Sequence, residues 1–352
     1  MKKKYNIIVI IGLLLINYTA LAQESTVLLD KSFPVNKSAS LELNNQFGNI
    51  TVTTWNKPEF YVKAQLVLTG LSEKEAQKIK EKVNVSSSQN SDRVSVETLF
   101  KKGGINMNGS GKKFEINYTV KVPNNHKLDI KNSFGNFSIQ DYNGPVELNV
   151  EYGNISLGNL KTLKLKLAFG NGNIQSIKEG KLDVEYADQF NINSVIKLDL
   201  DNSFSKVSIE SAELIKLDSK YGTLKIGTVD ILEGDSEFSG MKIKRLNKRL
   251  ELDGSYVSGS MEIESIATDF ELIDLEIEFS SVELNFEPGV KIPFEVSTSF
   301  GDFKYPNSKV NLTSRIEKDF GKEFKGTLGE GNTSSGKVTV ETSYGNATFK
   351  VN

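Results

Sequence analysis

Between Leu128 and Tyr256 one short pattern is written eight times: apolar-x-apolar, a polar pair or triplet, an aromatic, a small or turn residue, then a second apolar-x-apolar. The aromatics are Phe134, Tyr152, Phe169, Tyr186, Phe204, Tyr221, Phe238 and Tyr256, standing 18, 17, 17, 18, 17, 17 and 18 residues apart. So regular a period restricts the chain to stacked units, each packing on its neighbours. Within a unit, Leu163-Lys164-Leu165-Lys166-Leu167 alternates as a strand does when one face is buried and the other meets water. Each unit reads strand, corner, strand, corner. The expected fold class is all-β: a β-solenoid of 17- to 18-residue coils with a small helix-containing N-terminal cap. Glycine after the aromatic, as in Gly135-Asn136 and Gly153-Asn154, predicts a corner with positive φ at that glycine.

The first 22 residues read as a secretory signal: Lys2, Lys3 and Lys4 precede an apolar run from Ile7 to Ile16, and Ala20-Leu21-Ala22 offers small side chains for cleavage before Gln23. Export to an oxidising compartment is expected, yet the chain has no cysteine, which excludes disulfides, thiolate metal sites and cysteine-linked lipid. Net charge is −2, and −5 without the three signal lysines. Nothing resembles the basic stripe with interleaved aromatics that nucleic acid requires. No stable membrane span is expected once the signal is removed.

Leu41-Glu42-Leu43 with Phe47-Gly48-Asn49-Ile50-Thr51-Val52 is an early copy of the unit, 87 residues ahead of the one at Phe134. The intervening stretch holds strand patterns at Phe60 to Leu68, Val83 to Val85, Val94 to Val96 and Phe114 to Val122, and one helix start. There Ser72 and Glu75 predict a capping box, with Ala76, Ile79 and Val83 on one face. Such a segment suits a cap, because a stack of strands must cover its terminal edge. Past Tyr256 the steps lengthen to Phe279 and Phe300, and Tyr305 to Lys337 reads as a long loop or hairpin before a last copy at Tyr344. The expected organisation is a signal peptide at 1–22, a first copy with its helix-bearing cap at 23–127, and the repeat array at 128–352 with a long insertion at 305–337. The chain ends inside its own repeat, so no separate C-terminal sorting domain is expected.

The opening copy with Trp55 soon after, the capped helix, a strand closing on Val122-Pro123 and the serial Gly-Asn-Ile units resemble the putative adhesin family of bacterial envelope proteins (domain of unknown function 4097), of the Bacteroidetes type. The resemblance covers most of the mature chain. It implies an exported β-solenoid of the periplasm or cell surface, and it supplies no catalytic residue. Several corners depart from the motif, notably Tyr186-Ala187-Asp188 and Phe204-Ser205-Lys206.

Candidate chemistry is sparse. His126, the only histidine, is expected as an exposed turn residue, and no nucleophile motif accompanies it. The aromatics in one register are expected to stack in the core, with an exposed sugar-stacking platform as the alternative. Trp55 is expected as a corner anchor. The basic cluster Lys242, Lys244, Arg245, Lys248 and Arg249 offers a binding surface for an anionic glycan or headgroup, against a solvated edge. Three residues before the aromatic, Asp183, Asp201, Asp218, Asp235, Asp253 and Glu276 form an acidic row. Turn capping by these side chains is the expected role, and a Ca²⁺ site the rival one. No cofactor is otherwise expected.

The expected function is non-catalytic recognition or scaffolding in the cell envelope, with a surface glycan or an envelope protein as partner. A carbohydrate-active β-helix enzyme and a periplasmic partner in envelope signalling are the alternatives.

Overall fold

The computed structural model describes residues 23–102, 105, 111–257, 259–331 and 336–351. The expected signal peptide and its cleavage site lie outside the described residues. Strands β1 (Gln23–Pro34), β2 (Ser40–Gln46), β3 (Ile50–Thr54) and β4 (Glu59–Thr69) precede α1 (Glu73–Lys82), the one helix among the described residues. Its capping box forms as expected: Ser72 Oγ accepts from Glu75 N, the Glu75 carboxylate accepts from Ser72 N, and Ala76 and Ile79 are buried. β5 (Val83–Gln89), β6 (Arg93–Phe100) and β7 (Lys113–Val122) follow.

The middle of the chain is β8 (Lys127–Ser133), β9 (Phe137–Ile139), β10 (Tyr142–Glu151), β11 (Ile155–Ala168), β12 (Gly172–Glu185), β13 (Phe190–Ser203), β14 (Lys206–Lys220), β15 (Thr223–Glu237) and β16 (Gly240–Ser255). From β11 to β16 each strand pairs in parallel with the next along nearly its whole length. Leu165 lies beside Leu182, Leu182 beside Leu200, and Leu200 beside Leu217, so the register advances by one repeat per strand. Like residues therefore form rows. The rows Leu165-Leu182-Leu200-Leu217 and Leu157-Ile174-Ile192-Ile209 are buried, while the intervening lysines, acids and amides face outward. Each such Leu or Ile contributes about 1.5 to 3 kcal/mol.

The C-terminal part comprises β17 (Ser260–Ile266), β18 (Leu272–Glu278), β19 (Ser281–Phe286), β20 (Ile292–Ser299), β21 (Phe303–Lys304), β22 (Val310–Glu317), β23 (Gly321–Leu328), β24 (Lys337–Ser343) and β25 (Ala347–Val351). The 25 strands among the described residues form one large sheet that does not close into a barrel. At each end the chain order and the spatial order part company. β24 lies between β18 and β20, so the last copy is inserted ahead of the one that precedes it in sequence. Likewise β2 lies between β6 and β8, and β3 between β7 and β9. Antiparallel strands then cover the stack: β4 and β1 beyond β7, β5 beyond β6, and β23 with β22 beyond β20. β1 was not anticipated from its sequence, because its long edge strand shows little alternation.

Candidate functional site

Each corner turns on its aromatic. Twelve aromatic residues, from Phe47 to Tyr344, hold φ between 50° and 61°, whereas the glycines that follow do not. The expectation of positive φ at glycine is therefore corrected. The glycine serves close approach: a Cβ on Gly153 would stand 1.9 Å from the Gly135 carbonyl oxygen, and one on Gly135 would stand 1.9 Å from that of Gly48. Behind the corner the buried Asn132 amide donates to the Gly135 and Gly48 carbonyls at 2.8 and 3.1 Å, satisfying acceptors that the turn withholds from the sheet. In front of it, Asn49, Asn136, Asn154 and Asn171 each accept from the next layer's backbone N–H at 2.9 Å.

The left-handed conformation swings each ring out of the strand's in-out alternation and onto the surface. Rings of neighbouring layers then stack at 4.5 to 5.2 Å with interplanar angles of 2° to 10°, in one row from Phe47 to Tyr344 and Phe300. Phe169 lies between Tyr152 and Tyr186, so the rings stack with the 17- to 18-residue period of the sequence. From Phe134 onward every one of these rings is 43 to 54% exposed. The expectation that they fill the core is thus corrected: the alternation places aliphatic residues inside and leaves the αL position outside. Because each ring covers its neighbour's faces, the row presents ring edges and, at alternate layers, tyrosine hydroxyls. At the row's ends Phe47 packs against Phe100 and Phe114, and Phe300 against Phe320, so the end faces are not open to a sugar either.

On the outer face before the corner, Asp183, Asp201, Asp218, Asp235, Asp253 and Glu276 align in consecutive register, and Glu341 joins them out of sequence order. Turn capping does not hold for the five aspartates, which accept no backbone hydrogen bond among the described residues. They lie three residues ahead of the corner, still in extended strand, with their carboxylates directed outward. Lys166 lies 3.7 Å from Asp183 and Lys220 lies 3.6 Å from Asp218. Partial burial first, then the charges of Asp183 and Asp218, holds the Asp201 carboxyl above its ordinary range. Among the described residues no group of three or more acids converges to hold a metal ion.

The basic cluster is divided between faces and largely engaged. Lys242 reaches Glu262 at 2.9 Å and Glu264 at 2.6 Å, and those two carboxylates hold its ammonium pKa well above the ordinary value. Arg245 pairs with Glu287, Lys248 with Asp230 at 3.3 Å, and Arg249 with Glu251 at 2.7 Å. Lys244 alone of the five has no carboxylate partner among the described residues.

No family model matches the chain, and no curated protein matches it. Among solved structures it is similar to a putative cell adhesion protein from Clostridium sporogenes, 10% identical with a TM-score of 0.20, over 94% of this chain and 100% of that one. It is also similar to a putative adhesin from Bacteroides fragilis, 13% identical with a TM-score of 0.30, over 93% and 97%. Likenesses so distant carry no argument about function.

His126 is buried rather than exposed: its Nε2 lies 2.9 Å from the Asn36 carbonyl oxygen and its ring meets Phe60 edge to face at 5.2 Å. The turn before β8 is folded under the capping strands, which local sequence could not reveal. Trp55 anchors its corner, donating from Nε1 to the Glu59 carbonyl at 2.8 Å. No helix among the described residues is long and apolar enough to cross a membrane.

A further surface escaped the sequence reading. On the outer face after the corner, Thr51, Ser138, Ser156, Asn173 and Asn191 align in one row. Two residues on, Thr53, Gln140, Gly158, Gln175 and Asn193 occupy the next outward positions, and neither row contains a charge. Beyond Asn193 this face becomes ionic, with Lys206, Glu210, Lys225 and Lys242. The uncharged residues stand four and six places after the aromatic in four layers but five and seven after Tyr186, so only a known register turns them into a surface.

Proposed function

We propose that the chain is an exported, non-catalytic β-solenoid of the bacterial envelope that works by surface recognition. The observation that carries this reading is the unbroken row of exposed rings at strained corners. Its length is roughly 50 Å, from the ten steps between Phe134 and Phe300 at the ~4.8 Å strand spacing. Contiguous apolar surface on this scale, held at a backbone conformation that disfavours bulky residues, is uncommon where nothing docks. The enclosure of the only histidine supports the non-catalytic part, since it removes the ordinary general base from the surface.

The test incubates labelled mature protein with whole cells and envelope fractions, and separately with a glycan panel assayed for new reducing ends. Saturable binding without turnover is expected. Release of reducing ends would make the chain a carbohydrate-active enzyme instead. Capture of a single envelope protein in place of general surface binding would make it a signalling partner.

A further inference from the structure

We propose that the uncharged face after the corners, from the Phe47 layer to the Tyr186 layer, binds a neutral polysaccharide lying along the stack. The proposal rests on the recognition reading and names its ligand class. The argument begins with charge. A quarter of the chain's residues are charged, yet the two outward rows across five layers carry none. The two rows hold no cation to recognise sulfate, phosphate or uronate, and the carboxylate beside them, Asp141, is engaged by Asn159. What the rows offer is amides and hydroxyls, which both donate and accept, as sugar hydroxyls do.

Much of that capacity is unspent. Asn191 donates to Asn173 at 2.9 Å and Asn193 to Gln175 at 3.0 Å, aligning the amides along the row. A side-chain amide has two N–H donors and two acceptor lone pairs, so each of these bonds leaves further donors and acceptors facing water. Gln140 makes no hydrogen bond among the described residues.

The face also has a shallow, open depression. Gly158 lies between Gln140 and Gln175 in the row, and those residues line the depression with Thr54, Asp141 and Ser156. The lack of a side chain there is fixed by backbone, since a Cβ at Gly158 would stand 2.7 Å from the Gln140 carbonyl carbon and 2.8 Å from Asp141 N. Asp141 Oδ1 is held by the backbone and side-chain N–H groups of Asn159, both at 2.9 Å, leaving Oδ2 as an acceptor toward the depression's rim. Layers recur every ~4.8 Å, a rise comparable to one sugar of an extended β-linked chain, so successive sugars meet successive rows.

Affinity electrophoresis of the mature chain through gels cast with dextran, galactomannan, xyloglucan, soluble β-1,3-glucan, alginate or heparin tests this. Retardation by at least one neutral polymer, undiminished in high salt, is expected. A Gln140→Glu/Gln175→Glu variant, near-isosteric on exposed positions, should weaken it at least tenfold with an unchanged thermal melt. Asp235→Asn/Asp253→Asn on the opposite face should leave it unaltered. Retardation by alginate or heparin alone, or full binding by the glutamate variant, overturns the proposal. If wild type binds whole cells but no neutral polymer, this ligand assignment fails while the recognition reading stands. If it binds no cell fraction, the recognition reading itself fails.

Discussion

At Phe204 the backbone has φ 50°, a conformation costing an L-residue about 1 to 2 kcal/mol. Two stacked neighbours, Tyr186 and Tyr221, both at 5.0 Å, return about 0.5 to 1.5 kcal/mol each. The ring is held by its partners rather than by the core. Phe204→Ala therefore loses both stacks and keeps the strain, costing about 1 to 3 kcal/mol in urea unfolding. Phe204→Gly loses the same stacks but sheds the strain, and is expected to be the more stable of the two variants. The reverse order would show that the ring, not the backbone, sets the corner. Asp201 gives a second test at this scale. Its folded pKa is raised, so the folded state holds the proton more tightly than the unfolded state. Its contribution to stability accordingly falls as pH rises from the ordinary value of 3.8 through the raised one. Asp201→Asn should melt higher than wild type at pH 7, with the difference closing as the pH drops through the carboxylate range. A gap that persists in acid would place the effect elsewhere.

At the level of elements, parallel strands stack only where corners can approach. Gly153→Ala forces a methyl into the Gly135 carbonyl and should destabilise by roughly 2 to 3 kcal/mol. Ser205 shows how an ungapped corner copes: its Oγ accepts from Ala187 N at 2.9 Å and donates to the Ser203 carbonyl at 2.8 Å. The acidic row poses a different question, because carboxylates directly opposed across strands repel mildly. A cation on this row would raise the melting temperature in proportion to its occupancy. Thermal melts in millimolar Ca²⁺ and in EDTA are expected to superimpose, since the side chains point outward in parallel and no three of them converge. A Ca²⁺-dependent rise abolished in Asp218→Asn would restore the cation reading.

For the whole molecule, the exposed risk is the open sheet edge. β23 and β22 cover β20 on its outer side, and β22 in turn presents Arg315, Glu317 and flanking lysines at the rim. Charge on an outermost strand discourages edge-to-edge pairing. Deleting Val310 to Leu328 should leave β20 bare and yield concentration-dependent association in sedimentation velocity, while the intact chain's sedimentation stays independent of concentration. A deletion variant that sediments unchanged would mean the edge needs no cover.

The period, the buried aliphatic rows and the capped helix at Ser72 were legible in the sequence, because alternation and capping depend on residues a few positions apart. Even the stacking of Phe169 between Tyr152 and Tyr186 follows from one unit holding two strands and two corners. Which side the rings took was not legible. That depends on the sign of φ at a single residue, and a pattern of apolar positions is the same for either sign. The seat of Tyr344 between Phe279 and Phe300 was likewise hidden, since insertion of the last copy is a contact between distant segments. So was the burial of His126 under strands far from it in the chain. The sequence by itself determined what repeats and which side chains alternate inward. Only the tertiary structure decided what lies outside and beside what, because those choices are made by packing between layers, where no local pattern reaches.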